Sequence, residues 1–338
     1  MRKKIFYPIV LFWATAAFCL QSVSAQEIFS ETIIIRLPWL HQSQYAGVYV
    51  AKEQGFFRER GIGNIKILQG GPNIRPMDLV SSGSEQFSIT GSSPFLRAYK
   101  EHRPLKILAT LDQTHAFCYF ARKDQNISTP KDFRGKRVGH KIMHEHNLIA
   151  LLKSAGLTKH DIQLTPVPPG MGLFFLDDPE KMVPIWPGHA ADEPLLAEEH
   201  GIEVNYFFPE DYDGIPRIGN LLFTSRAFEQ AHSDVVEQVV GAILDGWYEA
   251  FTHIDEAVDM TMKYRRSTDP DDREHQKKML LRMKEFMLVE RYGNKIGWNN
   301  TERWQHILEV FLKEYPDAAF CLDDILTNRY VESYYIGQ

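Results

Sequence analysis

At 338 residues, with 44% hydrophobic and 24% charged side chains, the chain has the make-up of a soluble globular protein large enough for two domains. Its acids outnumber its bases, 44 to 38, which argues against nucleic-acid binding because a phosphate backbone would repel it. Beyond the amino terminus, no run approaches the roughly 20 apolar residues that a membrane span needs.

The first 25 residues read as a removable export signal. Arg2, Lys3 and Lys4 form a basic start, Ile5 to Leu20 an apolar core, and Val23-Ser24-Ala25 a small-residue cleavage site. Cleavage there leaves 35 bases against 44 acids, a net charge of −9. An exported acidic protein in the periplasm is the expectation. Of the cysteines, Cys118 and Cys321 remain. An oxidising compartment permits a bridge between them, although two buried free thiols are the simpler reading.

The stretch from Ile33 to Gly71 opens the folded part. An apolar strand (33–37) runs into a polar elbow carrying Trp39, His41, Gln42 and Gln44. A helix is expected over about 45–60, then a strand over 64–68 ending in Gly70-Gly71. This is a βαβ unit, and ligands of such sheets bind beyond the carboxyl ends of the strands. A short helix (74–83), a strand (86–90) and a helix from about 94 to 101 follow, with Ser92 or Ser93 as the expected cap. A strand (105–111) meets a polar break at Asp112-Gln-Thr-His115 and continues at 117–122, where the chain can cross between lobes.

A capped turn and strand (128–139), a helix (145–155), a strand (163–167), an irregular loop (168–172) and a strand (183–186) come next. The acids Asp192-Glu193 open a helix to about 200, with strands over 204–208 and 221–224. From Ser233 onward the spacing is helical, over 235–251, 254–264, 274–289 and 301–314. Alternating βα units that finish in helices predict an α/β protein of two lobes with C-terminal helices on the first.

Residues 39–57, WLHQSQYAGVYVAKEQGFF, resemble the opening of periplasmic solute-binding proteins of the thiamine-pyrimidine-synthase-like group. Leu79 to Ile89, Ser128 to Gly139, Asp192-Glu-Pro194, Gly219 to Ser225 and Glu302-Arg-Trp-Gln305 extend the resemblance in order along the chain. It implies a type II periplasmic-binding-protein fold, two α/β lobes closing on a small heterocyclic solute for an ABC importer. The lobes would comprise 26–117 with 218–338, and 118–217, hinged near Asp112–Tyr119 and Arg217–Asn220. A sensory subunit for a membrane signalling protein is the alternative role. The same group includes an enzyme that builds thiamine pyrimidine from its own histidine. Here Tyr45 stands at that position and no cysteine-rich motif is present, so the resemblance implies a monomeric binder with neither catalytic residues nor cofactor.

Candidate ligand residues follow from position. Trp39 offers a stacking face, while Gln42, Gln44 and Tyr45 offer hydrogen bonds. Gly71 and Asn73 offer close backbone approach, and Ser92 and Gln113 lie at strand ends. From the second lobe come His140, Glu145, Asp192 and Glu193. His140, His144 and His146 suggest a metal by their spacing. With no further ligand in view, none is assigned.

Overall fold

A computed structural model describes residues 29–141, 144–167 and 182–337. The export segment 1–25 and the loop 168–172 lie outside the described residues.

In β1 (Phe29–Arg36) Ile33 and Ile35 point inward while Thr32 faces out, so one face is apolar. It pairs in parallel with β2 (Ile62–Leu68) and β3 (Phe87–Thr90). A strand from much later in the chain, Leu221–Ser225, inserts antiparallel between β3 and β4 (Leu105–Thr110). The second sheet repeats the plan. With β5 (Phe117–Arg122), β6 (Arg137–His140), β7 (Gln163–Pro166), β8 (Ile185–His189), β9 (Val204–Phe207) and Leu221–Ser225 as β10, the orders are β2-β1-β3-β10-β4 and β7-β6-β8-β5-β9. In each sheet the fourth-placed strand is the antiparallel one, and it arrives from the other sheet. Two segments therefore cross between the sheets, residues 111–116 and 208–220.

The expected continuous helix over 45–60 is in fact divided. A 3-10 turn at Ser43–Tyr45 leads into a helix over Ala46–Glu53, which ends at Gly55 with φ of 89° before a short helix Phe56–Glu59. A left-handed residue interrupts helical hydrogen bonding, and glycine adopts that conformation freely. The helix Ala46–Glu53 packs against the long helix Ser233–Thr252 at very close range. A β-carbon on Gly47 would lie 2.3 Å from the Trp247 ring, and one on Gly246 would lie 2.1 Å from the Gly47 carbonyl. Only glycine at both places allows this approach.

The helix Thr301–Glu314 buries Trp304, Ile307, Leu308 and Phe311 with Leu105 and Ile107 of the first sheet, as expected. The helix Pro270–Met287 departs from expectation. Met279, Leu280, Met283 and Met287 join the first core, while Phe286 packs with the second sheet's Cys118, Phe120 and Trp186. It serves both sheets. Cys118 is buried, Cys321 is exposed, and both are free, so neither a bridge nor a pair of buried thiols is present. Among the described residues no helix is long and apolar enough to cross a membrane.

Candidate functional site

The elbow after β1 is drawn inward. Gln42, Ser43, Gln44 and Tyr45 are at most 6% exposed. Burying this many polar groups is unfavourable unless they are bonded, and most are. The Ser43 N–H donates to Gln276 Oε1 at 2.8 Å, and Gln44 Nε2 donates to the Tyr45 hydroxyl. Burial pushes the Tyr45 phenol well up, and the fields of Tyr49, Asp112 and Asp192 add to it. The phenol thus lies within electrostatic reach of both the first crossing segment and the helix that follows β8.

Trp39 is half-buried against the first core, and its carbonyl accepts from Gly70 N–H at 2.8 Å. A β-carbon on Gly70 would fall 2.3 Å from the Leu37 carbonyl, so the β2 end can lie against the elbow only as glycine. Gly71 has φ of 143°, and Asn73 is exposed.

Asp112 leaves the end of β4 and is 1% exposed. Its Oδ2 accepts from the Asn220 N–H at 3.1 Å and from Asn220 Nδ2 at 2.9 Å; its Oδ1 has no partner. Burial raises its carboxyl to about 7 against two lowering hydrogen bonds from Asn220.

Opposite lie the ends of β6 and β8 and the start of β5. His144 stacks on Phe117 at 3.9 Å between ring centroids. His115 Nδ1 accepts from Phe117 N–H at 2.9 Å. Burial, then the nearby His189 and Arg217, hold His115 down at about 3, and burial holds His189 at about 4. These imidazoles are neutral at pH 7, so each ring can both donate and accept. The Nδ1 atoms of His140 and His189 are buried without a partner, as is Ser43 Oγ. Among the described residues no three His, Cys, Asp or Glu side chains come together as a metal site.

Several expected ligand residues are occupied by the protein itself. Ser92 Oγ donates to the Ile218 carbonyl at 3.2 Å, and Gln113 Nε2 to the carbonyls of Thr110 and Trp298, each at 3.0 Å. Neither Ser92 nor Ser93 caps its helix, whose N-cap is Gly91. Glu145 pairs with Lys159 at 2.9 Å. Glu193 holds Lys141 at 2.7 Å and accepts from His189 N–H at 2.8 Å. Asp192 faces His275 Nε2 at 3.2 Å, and Glu199 accepts at 2.8 Å from the other nitrogen of that ring. The helix Pro270–Met287 thus grips the elbow through Gln276 and the second sheet's helix through His275. The cations bordering this region are matched: Arg217 pairs with Asp213 at 2.6 Å and Arg265 with Asp272 at 2.7 Å. Arg97 donates to Ser93 Oγ at 2.7 Å.

Residues 42–257 match the family described as NMT1/THI5 like. The chain belongs to that family. A riboflavin-binding protein of Chloroflexus aurantiacus is 23% identical over 316 residues, covering 89% of this chain and 86% of that protein. A formylaminopyrimidine-binding protein of Halalkalibacterium halodurans is 23% identical over 304 residues, covering 88% and 89%. Among solved structures, the periplasmic aliphatic sulphonate binding protein of Escherichia coli superposes with a TM-score of 0.65 at 16% identity, covering 84% of this chain and 87% of that one. A desulfurization enzyme bound to biphenyl-2-sulfinic acid superposes at 0.61 with 12% identity, covering 91% and 99%. The fold is that of the periplasmic binding proteins, as expected, and the two curated relatives are binding proteins.

Proposed function

We propose that the chain is an exported solute-binding protein that closes two lobes, 26–117 with 218–338 and 118–217, on a small flat heterocycle. Acting as a periplasmic monomer, it hands that solute to the permease of an ABC importer. One observation carries the reading: four buried polar atoms without partners, Ser43 Oγ, Asp112 Oδ1, His140 Nδ1 and His189 Nδ1, belong to the elbow, the first crossing segment and the ends of β6 and β8. Buried polar atoms are nearly always paired, so unpaired ones at or near the ends of strands support ligand contacts there. Their chemistry is mixed, a hydroxyl, a carboxyl oxygen and two imidazole nitrogens, and Trp39 and the His144–Phe117 stack add aromatic faces. Such a lining suits a ring with N–H and carbonyl or ring-nitrogen groups. It suits a sulfonate or nitrate less well, because Lys141, Arg217 and Arg265 are each committed to a carboxylate. The names of the two curated relatives, binders of riboflavin and of formylaminopyrimidine, support the same ligand class. Turnover is not part of this reading, since Tyr45 replaces the histidine consumed by the related synthase.

A thermal-unfolding screen of the mature protein tests it. A true ligand at a hundredfold over its Kd adds about 2.7 kcal/mol of stability. Riboflavin or formylaminopyrimidine should raise the melting temperature, and aliphatic sulfonate and nitrate should not. The reverse ranking would transfer the site to anions, with Arg97 as the residue to examine.

A further inference from the structure

Asp112 has two faces with different partners. Through Oδ2 and the backbone it fastens the crossing segments to each other. Leu111 and Asp112 N–H both donate to the Asn220 carbonyl, at 2.9 and 3.0 Å, while Asn220 returns its own N–H and Nδ2 to Oδ2. Gly219 makes room for this clasp, since a β-carbon there would lie 2.7 Å from Oδ2. Oδ1 is left over, buried, on a side chain whose field reaches the Tyr45 phenol. A carboxylate kept only as a clasp would not need burial of its second oxygen away from any donor. Leaving such an oxygen without a hydrogen bond is unfavourable.

We propose that Asp112 is a ligand-binding residue that ties recognition to the hinge: Oδ1 accepts an N–H or O–H donor of the bound ring while Oδ2 holds the two crossing segments together. The assignment rests on the heterocycle reading above and narrows it to rings that present a donor, such as an amide, imide or amino nitrogen. Because Oδ2 spans both crossings, a donor captured by Oδ1 acts on the point about which the lobes turn. The ionised carboxylate is the form that accepts, so affinity should rise with pH up to about 7 and then level off. Four of the titratable groups around it do not change state in that range. Tyr45 on the elbow is pushed far up, His115 on the same segment and His189 at the β8 end titrate at about 3 and 4, and Asp192 is held low. Glu193 and His275 are both raised and pair with Lys141 and with Asp192 and Glu199, and loss of the pH dependence in Asp112→Asn separates their titration from that of Asp112.

The test is titration calorimetry of the whole mature chain with formylaminopyrimidine and with riboflavin between pH 5.5 and 8.5. Wild type should gain up to tenfold in affinity per pH unit below about 7, an arm that needs no variant. Asp112→Asn keeps an acceptor for Asn220 but removes the charge. It should bind at least thirtyfold more weakly at pH 8 and lose the pH dependence. Asn220→Ala, which removes the Nδ2 bond to Oδ2 and leaves the backbone bonds of the clasp in place, should retain that dependence. Binding by Asp112→Asn within threefold of wild type, or a flat wild-type profile, would overturn this assignment while leaving the heterocycle reading intact. Failure of wild type to bind either ring compound would overturn both.

Discussion

Replacing His275 by alanine isolates the bridge between the C-terminal helix and the second sheet. The imidazole lies between Asp192 at 3.2 Å and Glu199 at 2.8 Å, and Glu199 keeps a second cation, Lys278, at 3.1 Å. Burial opposes the charge on His275, but its bonds to Asp192 and Glu199 outweigh burial and raise it above 6.5. A group raised on folding contributes fully below its unfolded value and loses that contribution as pH climbs through the folded one. Hydrogen bonds to charged groups contribute about 1.5–3 kcal/mol each. After the removal Glu199 retains Lys278, whereas Asp192 loses the partner that holds it low. The expected cost is therefore about 2–4 kcal/mol at pH 6. The assay is urea denaturation of wild type and His275→Ala at pH 6 and pH 9. Wild type should lose stability toward pH 9 and the gap should narrow. A gap of the same size at both values would refute the ion-bridge argument and leave only lost packing.

Further outcomes follow from single contacts. Asp112→Asn should unfold at a higher temperature than wild type at pH 8. Each pH unit between 3.8 and about 7 charges the fold about 1.4 kcal/mol for keeping that carboxyl buried, a ceiling of about 4 kcal/mol; a lower melting temperature would mean that the clasp outweighs the burial. Gly47→Ala drives a methyl into the Trp247 ring and should destabilise by about 1–3 kcal/mol or prevent folding, as read by chemical denaturation. Trp39→Ala should weaken ligand binding by about 1–3 kcal/mol in calorimetry, and unchanged affinity would remove Trp39 from the site. A thiol reagent should modify exposed Cys321 in the native protein and Cys118 only after denaturation, since burial also pushes the Cys118 thiol well up.

The sheets were legible because alternation and continuous apolar runs report burial directly: Ile33 and Ile35 point one way, and Phe87 to Thr90 is buried throughout. The break at Gly55 was not, because glycine at the end of an apolar helical stretch reads as interior until its dihedral angle is seen. Short helices such as Pro209–Asp213 and Leu322–Ile325 span barely a turn and carry no periodicity to read. The candidate site divides differently. Position alone marks Trp39, Gln42, Gln44 and Tyr45 at a strand end. Ser92 and Gln113 stand at strand ends too, but neighbouring carbonyls take their donors, which depends on contacts such as that with Ile218, 126 residues away. The sequence marks Asp112 only as part of a hinge, because its partner Asn220 lies 108 residues later. The sequence pattern ends the strand at 186 and so does not point to His189, whereas the strand runs on to His189 and carries that residue to its carboxyl end.

We propose that these strand ends together hold a flat, neutral heterocycle. Titration calorimetry of the mature wild-type protein at pH 8, with riboflavin, formylaminopyrimidine and an aliphatic sulfonate in parallel, tests it most directly. The expected result is saturable one-to-one binding of a ring compound at micromolar or tighter Kd, with no heat from the sulfonate. One-to-one binding of the sulfonate with both ring compounds inert would contradict it.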